Sequence, residues 1–417
     1  VRILLINAFH YLRGGVERTY LDESRWLTAA GHDVAHLAIR DPRNLPSPTA
    51  DHFAPATDFG EGAPALAQLA RLPDLIWSVP AGRAAARLVA EFRPDVAHLH
   101  APSRYLSPSV LAPLERMRVP TVMTLHDFKP WCTNRILFAH GAPCERCRGG
   151  SHWHALTTAC VQGSRAKSAA GMVEAYTHAA MHAYRHVSLW VAPSRFVRQK
   201  AIEFGVPDRQ LRILGHGVEP RAAGPSGANS GGAPHVLYIG RLSLEKGVGL
   251  LAELAKRIHP TPLRIAGEGP LGAALETSAR ETPGMTLLGH LDDDVLAAER
   301  RGAAVVVVPS LFYEHFCYVA AEALLDERPV VAANIGAIPE LVEHEVTGLL
   351  VTPGDVGSLA QGVRRAMAGD EGARWAAAGA ARVREMTRPE RHVRELLEIY
   401  REAIAMGQAG SGQGSAA

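Results

Sequence analysis

Several things are scarce in this chain, and each scarcity removes a class of protein. Five cysteines in 417 residues are too few for a disulfide scaffold. Neither charge sign dominates: 44 Lys+Arg against 42 Asp+Glu leave a formal charge of +2, so no bulk field points to nucleic acid or an acidic polymer. No apolar run approaches the ~20 residues of a membrane-spanning helix. The turn at Gly14-Gly15 after the first strand is not a G-x-G-x-x-G, so a nicotinamide reading lacks its fingerprint there. No short repeat recurs at a fixed period. The opening Val1-Arg2-Ile3-Leu4-Leu5-Ile6-Asn7 is too short for a signal peptide and reads as a first strand. With so few thiols, this points to a reducing cytoplasm, with peripheral contact at the inner face of a membrane left open.

What is present is the alternation of an α/β protein. With 47% hydrophobic residues the chain can bury full cores, and its length suits two domains. In the first half, short apolar runs at Arg2–Ile6, Val34–Ile39, Val96–Leu99, Val122–Leu125 and Val187–Val191 are bounded by turn or helix signals. Such runs suit a parallel sheet covered on both faces. A Gly/Pro/Ser-rich break over 223–232 is the candidate linker. A second cycle follows at His235–Ile239, Leu263–Ala266, Met285–Leu288, Ala304–Val308, Val330–Ala332 and Gly348–Val351. The pattern predicts two doubly wound, Rossmann-like domains, 1–222 and 233–389, facing across a cleft. A low-complexity tail, 406–417, is expected to be disordered.

The residues that carry chemistry lie where strands end. Arg241 and Lys246 follow His235–Ile239 in a glycine-flanked turn. Two cations there can neutralise a departing diphosphate, the work a metal does elsewhere; the plain alternative is a pair of solvated loop residues. Glu314 and Glu322 are eight apart, after the run Ala304–Val308. Carboxylates grip vicinal sugar hydroxyls, and amides near a helix start receive phosphate oxygens. With Glu322 read as beginning a helix, the alternative is a pair of acids answering the helix dipole. An acid/base pair for glycoside hydrolysis would leave the cations without a role. Gly14-Gly15 offers backbone approach, and His126-Asp127 ends Val122–Leu125. Cys132, Cys144, Cys147 and Cys160, with His152 and His154 among them, are spaced C-x11-C-x2-C-x12-C and could hold a structural zinc that pins a loop. Four unlinked thiols are the alternative.

Taken in order, these fragments resemble the retaining glycosyltransferase family 4 of the GT-B fold. The resemblance rests on Gly14-Gly15-Val16-Glu17, Pro94 through His100, Thr124-Leu125-His126-Asp127, Ala192-Pro193-Ser194, Gly240-Arg241-Leu242 through Gly247, Ala266 through Pro270, the E-x7-E of Glu314 to Glu322, and Gly336 through Val342. It implies a hexosyltransferase that moves a sugar from a nucleotide-diphosphate sugar to an acceptor hydroxyl with retention, no metal being needed for transfer. Arg241 and Lys246 would bind the diphosphate and Glu322 the ribose. Glu314 and the amides of Phe316 and Cys317 would hold the transferred sugar. The Gly15 amide and His126 would reach the donor from the first domain. Gly267, Glu268 and His290 would neighbour the base. The last helix, about 390–405, would pack back on the first domain. The acceptor, be it a carbohydrate, a lipid-linked sugar or a small metabolite, has no legible signature. Cys317 stands where relatives commonly have glycine, and His315 replaces a usually smaller residue. A nucleotide-sugar epimerase and a non-catalytic nucleotide-sugar binding protein are the competing readings.

Overall fold

A computed structural model describes residues 1–56, 72–102, 105–220 and 234–412. The expected linker 223–232 falls outside them. The chain divides into two compact units. One comprises Val1–Ile136, Glu145–Gly217 and Pro389–Ala417; the other comprises Leu137–Cys144 and Val218–Arg388.

The first unit holds a six-stranded parallel sheet: β1 (Arg2–Ile6), β2 (Asp33–Leu37), β3 (Val96–Leu99), β4 (Thr121–Thr124), β7 (Leu189–Ala192) and β8 (Leu211–Ile213), in the order β2-β1-β3-β4-β7-β8. A two-stranded hairpin, β5 (Phe138–Ala139) with β6 (Ala142–Pro143), interrupts the sequence of strands. The second unit repeats the plan with β9 (Val236–Ile239), β10 (Leu263–Ala266), β11 (Met285–Gly289), β12 (Val305–Val308), β13 (Val330–Ala333) and β14 (Leu349–Val351), ordered β11-β10-β9-β12-β13-β14. Both lobes are therefore Rossmann-like. β8 escaped the sequence reading because Leu-Arg-Ile is three residues long and only Leu211 is buried.

Central strands are buried along their whole length, as strands covered on both faces must be. In the second unit one core holds Val236, Tyr238, Leu254, Val305, Val307 and Val331; the other holds Leu237, Val306, Val308, Leu324, Val330 and Ala332. Neighbouring residues of one strand thus serve opposite faces. In the first unit Leu396, Ile399, Tyr400 and Ala403 of the helix Pro389–Gly412 join Ile3, Leu5, Tyr20 and Val96. That helix runs seven residues into the segment expected to be loose from 406, since nothing before Gly412 breaks the ladder of amides; 413–417 lie outside the described residues. Among the described residues no helix is long and apolar enough to cross a membrane.

One glycine closes the turn after β9. Gly247 has φ 74°, and a Cβ there would lie 1.9 Å from the Pro309 carbonyl oxygen. Gly247→Ala is therefore expected to cost about 2–4 kcal/mol, from the left-handed backbone and the displaced neighbour. Gly249→Ala, whose Cβ would meet nothing within 4 Å, should cost under about 0.5 kcal/mol and serves as the control. Urea unfolding of the two variants reads the difference; equal midpoints would refute the argument.

Candidate active site

In an open parallel sheet, ligands bind beyond the carboxyl ends of the strands, where the strand order reverses. In the second unit that point lies between β9 and β12. Lys246 follows β9, Glu314 follows β12, and the two meet there: Lys246 Nζ donates to Glu314 Oε1 at 2.8 Å. Ser310 Oγ donates to the same oxygen at 2.7 Å. The ammonium also sits 4.8 Å above the Phe312 ring. Burial pulls the Lys246 pKa down, but the charge and hydrogen bond of Glu314 outweigh it, so the group stays cationic. Arg241 is exposed at the start of the same turn, and its carbonyl accepts from the Tyr238 hydroxyl at 3.1 Å.

Glycines let the neighbouring turns stack against this one. A Cβ on Gly267 would lie 2.0 Å from the Gly240 carbonyl oxygen, and one on Gly336 would lie 2.5 Å from the Glu314 nitrogen. Leu242 N donates to Glu268 O at 2.9 Å, and Ala337 N to Glu314 O at 2.8 Å. The loops after β9, β10, β12 and β13 are thus pinned to one another, with His290 exposed just past β11. Six of the sequence candidates, Arg241, Lys246, Gly267, Glu268, His290 and Glu314, all lie beyond strand ends of one sheet.

Glu322 is placed differently from the sequence reading. The helix starts at Tyr318 and runs to Leu325, so Glu322 lies in its second turn and not at its start. The amides of Phe316 and Cys317 precede that helix. Cys317 caps it at φ 71°, a left-handed conformation that favours glycine, the residue that the family resemblance leads one to expect here. The thiol is buried and pushed up to about 12, chiefly by burial and then by Glu314. Glu322 Oε2 accepts from Arg300 Nη1 at 2.7 Å, while Arg300 Nε donates to Asp326 at 2.6 Å; Arg300 is 4% exposed. Neither Arg300 nor Ser310 was legible as a site residue. Arg300 sits within an ordinary charged helix, and Ser310 follows a strand with no motif around it.

The strand order of the first unit reverses between β1 and β3. The turn after β1 leads to the helix Gly15–Ala29. Gly14 is extended and a side chain there would meet only Glu17 Oε2 at 3.9 Å, so its backbone does not require glycine; what glycine leaves clear is the approach to the helix start. His126, past β4, contacts His100 Nδ1 through Nε2 at 3.0 Å and stacks on His216 at 5.2 Å.

Behind His100 is a buried carboxylate that the sequence did not reveal. Glu23 Oε1 accepts from His392 Nε2 at 3.0 Å, and Oε2 lies 3.3 Å from His98 Nδ1 and 3.4 Å from His100 Nε2. His98 is further held by Tyr400 and Thr124, each at 2.8 Å. Burial alone would raise the Glu23 pKa; the His100, His392 and His98 rings overcome it and hold the carboxyl well below its usual range. Burial pushes His100 down, into the neutral form. For His392 burial is outweighed by Glu23, and its pKa is raised. Glu23 and His392 thus favour each other's charged forms.

Among the described residues Glu23, His98 and His100 are also the one grouping whose ligand atoms all lie within 4.8 Å of one another. Cys132, Cys147 and Cys160 do not gather in this way. Cys132 Sγ donates to Asn134 Oδ1 at 2.9 Å, and none of the five cysteines is in a disulfide.

The model of Glycosyltransferase Family 4 matches residues 13–222, and that of Glycosyl transferases group 1 matches 233–369. A glycogen synthase of Mycobacterium tuberculosis is 30% identical over 395 residues, 87% of this chain and 85% of that protein. An uncharacterized glycosyltransferase of Methanocaldococcus jannaschii is 28% identical over 216 residues, 45% of this chain, and the match spans 54% of the relative's length. Among solved structures, sucrose-phosphate synthase from Thermosynechococcus elongatus superposes with a TM-score of 0.72 at 22% identity, covering 97% of this chain and 99% of that one. Anabaena HepE in complex with UDP-glucose gives 0.68 at 18%, covering 96% and 99%. The chain belongs to glycosyltransferase family 4, sugar-transferring enzymes of the GT-B fold.

The buried Glu23 pair yields a stability prediction. Glu23→Gln is expected to cost about 3–5 kcal/mol at pH 7, because it leaves a buried histidine charge unanswered. The Glu23 carboxyl is depressed, so its contribution is complete above the unfolded carboxyl pKa and drains as pH falls through the folded one. His392 is raised, so its contribution is complete below the unfolded imidazole pKa and drains as pH rises through the folded one. Urea titrations across pH should show both limbs in the parent and neither in the variant; unchanged limbs would mean other groups carry the pH dependence.

Proposed function

We propose that this enzyme transfers a sugar from a nucleotide-diphosphate donor to an acceptor hydroxyl with retention of anomeric configuration. The observation that carries the reading is the Lys246–Glu314 pair at the β9/β12 reversal: an ammonium kept cationic, beside a carboxylate fixed by Ser310. Lys246 and Arg241 face the charge that grows on the departing diphosphate, and the carboxylate is placed for a sugar hydroxyl. The Phe316 and Cys317 amides stand with Glu314 around the sugar. Glu322, steadied by Arg300, holds the ribose, and Gly267, Glu268 and His290 flank the base. His126 and the Gly15 amide are the first unit's groups for the same chemistry. The UDP-glucose complex of Anabaena HepE supports a uridine donor as the first to try. Thiols with no disulfide among them suit a reducing, cytoplasmic setting.

Transfer would proceed without a redox or acid–base cofactor: the acceptor oxygen bonds to the anomeric carbon on the face the diphosphate leaves. The acceptor proton passes to a phosphate oxygen of the leaving group. The protein supplies position and preorganised charge.

Two measurements test this. Lys246→Ala is expected to lower turnover on the order of 10²-fold or more, as loss of one electrostatic donor does, and also to lower the ligand-free melting temperature, since Glu314 keeps only Ser310. Near-parental turnover would remove the diphosphate assignment. Calorimetry with UDP separates the glutamates. Glu322→Gln should weaken binding about tenfold by losing a charged hydrogen bond, the fold surviving because Asp326 still holds Arg300. Glu314→Gln should bind UDP as the parent does yet transfer sugar poorly. The reverse order would exchange the two roles, and an inverted product anomer by NMR would overturn retention.

A further inference from the structure

The segment from Arg146 to His186 has a charge pattern unlike the rest of the chain. Its one acidic residue is Glu174, against Arg146, Arg148, Arg165, Lys167 and Arg185. Glu174 does not reach the surface: it is buried and accepts from Lys129 Nζ at 2.6 Å. Arg148 and Arg185 are answered by Glu145, Glu203 and Glu115, all outside the segment. Arg146, Arg165 and Lys167 are exposed and, among the described residues, meet no carboxylate within 4 Å. Three exposed cations of this face are therefore left over after its ion pairs are made.

It is also apolar. Trp153 is 51% exposed and Val173 50%, with Tyr176, Leu156 and Met181 likewise exposed. The first four form one patch. Trp153 N donates to the Tyr176 hydroxyl at 3.2 Å, joining the segment His154–Thr158 to the helix Arg165–Ala180. Leu156 lies three residues beyond Trp153, and Val173 three before Tyr176, the spacing of one helix face. The His152 ring meets Tyr176 edge-on at 5.2 Å and also borders a recess of about 360 Å³ lined by Trp131, Tyr184 and Phe204. An apolar hollow therefore opens beside the patch.

From this geometry we infer that the face built on residues 146–186 docks on an anionic lipid bilayer, separately from sugar transfer in the second unit. Trp and Tyr favour the headgroup boundary, where an apolar ring and a polar edge are both satisfied. Exposed Leu and Val enter the acyl region, and unopposed Arg and Lys find lipid phosphates. The charge decides for a bilayer of net negative charge: each cation strengthens binding about fivefold, and Arg146, Arg165 and Lys167 remain after Glu145, Glu203 and Glu115 have answered Arg148 and Arg185.

The test is sedimentation of the full chain with vesicles of phosphatidylcholine, with and without phosphatidylglycerol. The chain is expected to sediment with the anionic vesicles only, and raised salt should weaken the binding. Arg165→Glu with Lys167→Glu should reduce it about 20-fold or more, on the fivefold-per-cation scale. Trp153→Ser with Tyr176→Ser should reduce it at least about tenfold through lost apolar area. UDP binding should be unchanged in both pairs, which shows that they fold. Equal sedimentation with neutral and anionic vesicles, none with either, or parental binding by either pair overturns the inference. The outcome is independent of the donor chemistry: vesicle binding by a chain that transfers no sugar would leave this surface standing.

Discussion

A carboxylate taken out of water must be answered by positive charge or hydrogen bonds, or it returns to its neutral form. Each unit is arranged about one such group. In the second it is Glu314, answered by Lys246 and Ser310 from the loops flanking the strand reversal. In the first it is Glu23, answered by histidines from β3 and from the last helix. The two differ in what surrounds them. Glu23 is sealed, and its charge serves the fold. Glu314 stands beside a partly exposed ammonium, so its charge can serve a ligand. The chemistry of burial is the same; access to solvent separates brace from site.

The path from sequence to this arrangement is short where it depends on local pattern. Val96–Leu99 and Leu263–Ala266 are strands with the bounds the sequence suggests, because each is mostly apolar and one polar residue in each, His98 and Arg264, finds a partner. The glycines around the second site were legible as turns, and their close packing supplies the reason. What was not legible depends on distance. Nothing in Arg300 announces that it will face Glu322, since the two are 22 positions apart with the strand β12 between them. His98 and His392 converge on Glu23 from opposite ends of the chain. Glu322 looked like a helix start because the apolar run begins there, whereas the Cys317 backbone starts the helix a turn earlier.

Cys317 shows how a departure from a family pattern can be accommodated. A left-handed residue with a side chain stores about 1 kcal/mol of strain. Here the side chain lies in the core with Phe316, Ala320 and Ala321, and burial offsets part of that cost. The backbone turn, which aims the Phe316 and Cys317 amides, is kept although the residue that adopts it most easily is absent.

The last helix gives the chain an asymmetry in time. Residues 389–412 belong to the unit that begins at Val1, so the second unit is threaded into the first as an insertion. On the ribosome, β1 through β8 emerge long before Tyr400 and His392 do. Until then His98 and Glu23 lack their partners, and the apolar faces of Ile3, Leu5 and Val96 lack the helix that covers them. The second unit, made later, has nearly all its strands and helices in one continuous stretch and can close first. The first unit keeps an uncovered apolar surface and an incomplete buried-charge site until the helix from Pro389 is available to it.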